Sequence, residues 1–460
     1  MLAQSLVQQA PAQERRDEYF SYLRRTEFAR LDRNDLAYLD YTGSALYAER
    51  QIRAYADLLR KGVFGNPHSE SAPSKASTTL IEEAKLQLLD FLGASPEDYV
   101  VSFTANTSAA IKLVAESFPF GEDGCLVLSS DNHNSMNGIR EYATHEGACV
   151  EYLPLDDDLR LADPLTHLRK HARKRSKLFA YPAQSNFSGV KHSLDLVRSA
   201  RAMGYTVLLD AAAFAPTNKI DLCVTPADFI ALSMYKIFGL PTGVGALVAR
   251  RDALRELHRP WFAGGTVEYA SVQNRDHLLR GTEAAFEDGT PSFLDIGALA
   301  EGFAVLDEVQ IERLNEYVSS LTSALLDRLQ SLHRGDGSTA VKIYGPLNLD
   351  RRGATIAFNV LDKKGRTIPY WIVEAVAREA GVAVRGGCFC NPGASEKAFG
   401  FRADDARRCT EKISANEFTV ARFAECLGPT VPVGAVRASI GMAANLDDID
   451  RLIEVVDSFS

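Results

Sequence analysis

The stretch Ser233-Met-Tyr-Lys-Ile-Phe-Gly-Leu-Pro-Thr-Gly-Val-Gly245 decides how the chain is read, and Lys236 is its chemical centre. A lysine in a short apolar run, followed by three glycines and a proline, is an unusual place for a charge. Asp228-Phe-Ile-Ala-Leu232 before it and Ala246-Leu-Val-Ala249 after it both read as buried strands. The spacing therefore puts Lys236 in a loop between two core strands. Burial there lowers an amine's pKa and makes it a usable nucleophile. A lone lysine in a glycine-rich turn is ordinary surface, so the reading needs a partner.

Asp210 supplies one. In Tyr205-Thr-Val-Leu-Leu-Asp-Ala-Ala-Ala213, residues 206–209 look like a buried parallel strand, and Asp210 falls at its carboxyl end. Open α/β sheets gather their ligand groups at that edge. By itself an aspartate there is as easily a helix N-cap. An aspartate and a lysine at neighbouring strand ends match what pyridoxal 5'-phosphate needs. The lysine holds the aldehyde as a Schiff base, and the carboxylate keeps the pyridine nitrogen protonated so that the ring is an electron sink.

Working outward, the 460 residues are 46% hydrophobic and 24% charged, enough for two domains with their own cores. A net charge of −9 argues against a nucleic-acid surface. The basic run Arg169-Lys-His-Ala-Arg-Lys-Arg175 reads as the solvated face of a polar helix. No stretch nears the roughly 20 apolar residues of a membrane span, and there is no long apolar leader, so a cytoplasmic chain is expected. Seven cysteines with no C-x-x-C pair lead us to expect reduced thiols.

Along the chain, residues 1–35 are polar and helix-prone, an arm expected to pack with the small domain. Strand and helix patterns alternate from 36 to 298, which predicts a large domain with a mainly parallel sheet flanked by helices. Residues 299–460 read as a smaller α+β domain that opens with one long helix over about 298–332. Residues 99–104 predict a strand and 109–118 a helix. Ala105-Asn-Thr-Ser108 between them is a phosphate cradle in outline, since free N–H groups and the helix dipole favour an anion there. The loops Asp131-Asn-His-Asn-Ser135 and Pro182-Ala-Gln-Ser-Asn-Phe-Ser-Gly189 are expected at the same sheet edge.

Several stretches resemble the class V aminotransferase family of fold-type I pyridoxal phosphate enzymes. In order these are Tyr38-Leu-Asp-Tyr-Thr-Gly43, Gly65-Asn-Pro-His-Ser69, Phe103-Thr-Ala105, Gln184-Ser-Asn-Phe-Ser-Gly189, Ser233-Met-Tyr-Lys-Ile-Phe-Gly239, Phe286-Glu-Asp-Gly-Thr290 and Arg385-Gly-Gly-Cys-Phe-Cys-Asn-Pro-Gly393. The likeness is nearest to cysteine desulfurases and to the N-terminal half of molybdenum cofactor sulfurases. It implies that Lys236 carries the cofactor, Asp210 partners its pyridinium, and His133 stacks on its ring and shuttles protons. Asn106, Thr107, Ser108, Ser233 and Tyr235 would serve the phosphate, and Asn186 the phenolic oxygen and the substrate carboxylate. Gly289 and Thr290 match a loop that reaches the partner subunit's phosphate, which implies a homodimer. Arg437 would clamp the substrate carboxylate, with Arg385 a second candidate.

Two departures stand out. Many desulfurases have glutamine where this chain has Ala213, and histidine where it has Tyr235. The sulfurases also carry a further acceptor domain beyond the region of likeness, so a separate sulfur acceptor is expected. Cys390 matches the sulfur-accepting cysteine of one desulfurase branch, with Arg385 nearby to favour a thiolate. The expected reaction takes sulfur from L-cysteine, giving alanine and a persulfide on Cys390. Transamination, epimerisation, C–S lysis or a non-catalytic sulfur-relay scaffold are the alternatives. Cys388 and Cys390 with Cys409 and Cys426 make a poor zinc pattern, so no metal is expected.

Overall fold

In the computed structural model, residues 12–428 and 431–459 are described. Residues 1–11 of the expected arm lie outside them. Apolar β-formers at 99–104, 124–129, 149–153, 176–182, 206–210, 229–233 and 245–250 build the central sheet. With the short strand β1 (Ala37–Tyr38) counted first, these are β2 (Tyr99–Thr104), β3 (Gly124–Ser129), β4 (Cys149–Leu153), β5 (Ser176–Pro182), β6 (Thr206–Asp210), β7 (Phe229–Ser233) and β8 (Gly245–Arg250). Their order across the seven-stranded sheet is β2-β8-β7-β6-β5-β3-β4. β4, β3, β5, β6 and β7 run parallel, whereas β8 is antiparallel to both β2 and β7. Both faces are covered, and the inner strands are buried along almost their whole length. This is the continuous apolar pattern that a doubly covered sheet demands.

A hairpin of β9 (Val267–Ser271) and β10 (Asp276–Leu279) projects from this body. The second sheet is antiparallel throughout, in the order β11-β12-β15-β14, from β11 (Val341–Tyr344), β12 (Thr355–Val360), β14 (Arg385–Gly387) and β15 (Ala435–Ser439). The strand β13 (Val382–Ala383) pairs in parallel with β1, and Asp40 bridges to Ser439. The segment after β1 is thereby fastened to the end of β15.

Three sequence expectations are corrected. Lys236 lies not in an open loop but on one helical turn, Met234–Phe238. Met234, Ile237 and Phe238 are buried, and burying these apolar side chains winds the segment. The long helix over 298–332 is two pieces, Leu299–Val309 and Ile311–Ser331. Gln310 adopts φ 61°, outside helical geometry, and so ends the first piece and starts the second. The thiols are not all free. Cys125 and Cys149 sit opposite each other in the β3–β4 register and form a disulfide, as do Cys409 and Cys426 on two neighbouring helices. Each pairing rests on spatial adjacency, which cysteine spacing does not reveal.

The helix Ala12–Glu27 is held from both sides. Phe20 stacks on Tyr317 at 4.0 Å, and the buried Arg24 guanidinium donates to Asp448 Oδ2 at 2.6 Å and to Asp32 Oδ1 at 2.9 Å. Asp448 is itself buried and caps its own helix with Asn445. Removing Arg24 strands a buried carboxylate, so Arg24→Ala should cost about 3–5 kcal/mol of stability. Chemical denaturation checks this, and a loss under about 1 kcal/mol would place the pair among inconsequential surface bridges.

Candidate active site

One row across the sheet sets the site. Gly245, the first residue of β8, is paired with Thr104 at the end of β2 on one side and with Ser233 at the end of β7 on the other. A Cβ on Gly245 would lie 2.3 Å from the carbonyl carbon of Asn106, so the close approach admits only glycine. Asn106 Oδ1 accepts the Ala109 N–H at 3.0 Å and caps the helix Thr107–Ser117. The first N–H groups of that helix have no intrahelical acceptor. Thr107 Oγ1 and Ser233 Oγ are buried without a hydrogen-bond partner among the described residues.

Both residues line a cavity of about 420 Å³. Asn106, Ser108, His133, Asn186, Asp210, Tyr235 and Lys236 share its wall, as do Gln184 and Ala213. Unpartnered hydroxyls beside a helix N-terminus are a fitting seat for a phosphate monoester. The amine and the carboxylate on the same wall complete a fit to pyridoxal 5'-phosphate.

Lys236 is partly buried and opens onto this cavity. Burial lowers its pKa, the Asp210 carboxylate pulls it back up, and Arg437 and Arg385 lower it further. The net direction is down, toward a neutral amine. Gly239 closes the turn at φ +80°, where a Cβ would sit 2.4 Å from the Tyr47 nitrogen. Asp210 accepts the Ala212 N–H at 2.9 Å, which fixes the carboxylate at the strand end. His133 caps the next turn: its Nδ1 accepts the Ser135 N–H at 3.1 Å, leaving Nε2 to carry the ring proton. Burial lowers the His133 pKa against the opposing pull of Asp210.

The loops beside the cavity are tied to one buried anion. Asp131, fully buried, accepts from Ser185 Oγ at 2.7 Å, His192 Nε2 at 2.8 Å and Asn391 Nδ2 at 2.7 Å. Asn186 Nδ2 donates to the Phe389 carbonyl at 2.7 Å, and the Asn134 N–H donates to the Cys390 carbonyl at 2.7 Å. The cysteine-bearing turn is thus stitched to the His133 and Asn186 loops. Phe389 and Cys390 both adopt positive φ, 56° and 55°. Cys388 and Cys390 are exposed and do not line the cavity.

The arginines differ from expectation. Arg437 is 3% exposed, with Nη2 on Asp40 Oδ1 at 3.0 Å and Nη1 on the Asn186 carbonyl at 2.9 Å. Only its buried Nε lacks a partner among the described residues. Arg385 grips the same Asp40 through Nε and Nη2, Nη2 to Oδ2 at 2.6 Å, so that carboxylate offsets part of the charge expected to favour a thiolate. Sequence reasoning missed Asp40. The only signal was an acidic residue inside the apolar run Tyr38-Leu-Asp-Tyr41. Gly289 and Thr290 stay out of the Lys236 cavity. Thr290 lines an adjoining one of about 400 Å³ that shares Ala105 and Gly243 with it.

A folded-state pKa below the unfolded value means stability is present above the ordinary imidazole value of 6.5 and is lost as pH falls toward the folded value. His133→Gln should therefore flatten the loss of thermal stability below that pH in ligand-free protein. Identical melting profiles for both proteins would remove the buried neutral imidazole from the account.

The family model described as Aminotransferase class-V matches residues 37–452. The molybdenum cofactor sulfurase of Arabidopsis thaliana is 36% identical, over 95% of this chain and 58% of that protein. That of Solanum lycopersicum is 35% identical, over 95% and 56%. The chain thus spans less than three fifths of the length of these relatives. Among solved structures, the apo cysteine desulfurase from Thermococcus onnurineus NA1 superposes with TM-score 0.76 at 26% identity, covering 95% of this chain and 97% of that one. A cysteine desulfurase of Escherichia coli gives TM-score 0.75 at 21% identity, covering 95% and 98%, a likeness of fold.

Proposed function

Because the chain belongs to the class V aminotransferase family, we propose that it is a pyridoxal phosphate-dependent cysteine desulfurase that passes sulfur to an acceptor. The observation that carries this is the meeting of Lys236, Asp210 and His133 on one cavity wall with the Cys390 turn bonded to the same loops. When bound, the cofactor supplies an aldehyde for amino groups and a protonated ring that draws electrons from the substrate carbon. Thr107, Ser108, Ser233 and the Asn106-capped helix would hold its phosphate, with Tyr235 beside them. Asp210 would hold the ring-nitrogen proton. Lys236, biased toward its neutral form, would bind the aldehyde and move protons. His133 would stack on the ring and carry a proton on Nε2. Gln184 offers a carboxamide on the wall where Ala213 offers none.

Arg437 and Arg385, with Asn186, would receive the carboxylate of L-cysteine, and Asp40 sets how much positive charge they present. The Cys390 thiolate would attack the substrate sulfur. A new S–S bond forms as the carbon–sulfur bond breaks, and the carbon keeps the electron pair and takes a proton. The products are alanine and a persulfide on Cys390, whose exposure suits transfer to a separate acceptor. The same proposal covers an arm over 1–35, a large domain over 36–298 and a small domain over 299–460.

It also places the protein in the cytoplasm. No helix of the described residues is long and apolar enough to cross a membrane. In a reducing compartment the two disulfides would be open to reduction.

Mass spectrometry after cysteine treatment, before any reductant, tests the thiol. Cys390→Ala should abolish the protein persulfide and cut sulfide release with a thiol acceptor by about 100-fold or more, since a positioned nucleophile supplies several kcal/mol. Cys388→Ala should cost far less. Wild-type sulfide release from Cys390→Ala would hand the site to a C–S lyase.

The dimer is proposed on Gly289 and Thr290, of which Thr290 lines the cavity adjoining that of Lys236. If they complete a second subunit's phosphate seat, cofactor and dimer stabilise each other by mass action. Sedimentation should show cofactor loss loosening the dimer; a fully active monomer would end this part of the reading.

A further inference from the structure

The far edge of the central sheet carries a second cluster, independent of the sulfur chemistry. Cys125 and Cys149 stand at the amino ends of β3 and β4, whereas the Lys236 cavity opens at the carboxyl ends of the parallel strands. His171 Nδ1 lies 3.7 Å from Cys149 Sγ, and its other ring nitrogen, Nε2, is bonded to Glu151. Glu151 is in turn held by His167 Nδ1 at 2.6 Å and by Lys170 Nζ at 3.0 Å. One atom from each of Cys125, Cys149 and His171 lies within 4.8 Å of the others.

We propose that this is a redox-gated zinc site, filled when the Cys125–Cys149 disulfide is reduced. A dithiol reductant passes two electrons to the disulfide, leaving two thiols and its own cyclic disulfide. Zinc then displaces two protons and binds both thiolates and His171 Nδ1. Zinc bonds of about 2.3 Å to sulfur and 2.0–2.1 Å to nitrogen make the S–N edge of a tetrahedron about 3.6 Å. The Cys149–His171 separation already has that length. The β3–β4 register holds the two cysteines side by side whether or not they are bonded to each other. Glu151 on the remote nitrogen is the carboxylate that fixes a zinc-bound imidazole's tautomer and aim. Three protein ligands leave a fourth position for water. The basic run over 169–175 is then more than a solvated face, because it delivers His171.

Cobalt(II) is the probe. Cofactor-loaded protein carrying Cys388→Ala and Cys390→Ala is reduced with dithiothreitol, freed of reductant anaerobically and titrated. We expect one cobalt per chain with thiolate charge-transfer bands and the strong visible bands of a tetrahedral ion, displaced by zinc and absent before reduction. Cys149→Ser should abolish the bands, and His171→Gln should weaken binding about tenfold or more. Glu151→Gln should weaken it by about 10–100-fold. Cys409→Ser should leave it unchanged. If Cys149→Ser does not fold, His171→Gln decides alone. Bands that survive intact in His171→Gln overturn the proposal. So does a lack of cobalt binding when alkylation mapping shows Cys125 and Cys149 both reduced.

Discussion

Asp131 is the fixed point of the site. A fully buried carboxylate is costly unless its lone pairs are filled, and here three donors from three separate segments fill them. Ser185 brings the loop after β5, His192 the segment that follows it, and Asn391 the turn bearing Cys390. The charge cannot be left half-satisfied in a dry interior, so these segments are compelled to arrive together. His133, two residues from Asp131, inherits that placement. So does Asn186, which passes it to Phe389 and Arg437.

A second shared anion does the same work between the sheets. Asp40 leaves β1, which is paired with β13, and meets Arg385 on β14 and Arg437 on β15. Two guanidiniums so close repel each other; the carboxylate between them lets both stay charged near Lys236. The amine therefore sits in a positive field that helps keep it neutral, in addition to its burial. The electrostatics of the lysine are set in part by a residue nearly two hundred positions away.

Much of this was legible in the chain, for a physical reason. Buried strands write themselves as apolar runs, and a charge that follows one is placed at the strand end, as Asp210 and Lys236 are. The Asn106 cradle was readable because a cap and a free helix end are local. What escaped was non-local. Asp40 looks like one acid in a short strand until β14 and β15 bring two arginines to it. The disulfides depend on strand register and helix packing, not on spacing. The break at Gln310 is hidden because apolar periodicity continues on both sides of it. Arg437 was found, but not that both of its Nη atoms are already engaged.

The antiparallel course of β8 has a consequence for distance. β2 and β7 end where β8 begins, so the Asn106 turn and the lysine turn stand one strand apart on either side of Gly245. Two interstrand spacings are roughly 10 Å. That gap is gauged by backbone hydrogen bonds, not by any side chain, so drift in the surrounding residues cannot stretch it. A slip of β8 by one residue would turn every side chain to the opposite face and drive a Cβ into Asn106. The sheet is in effect a ruler with one permitted setting, and the glycine is its mark.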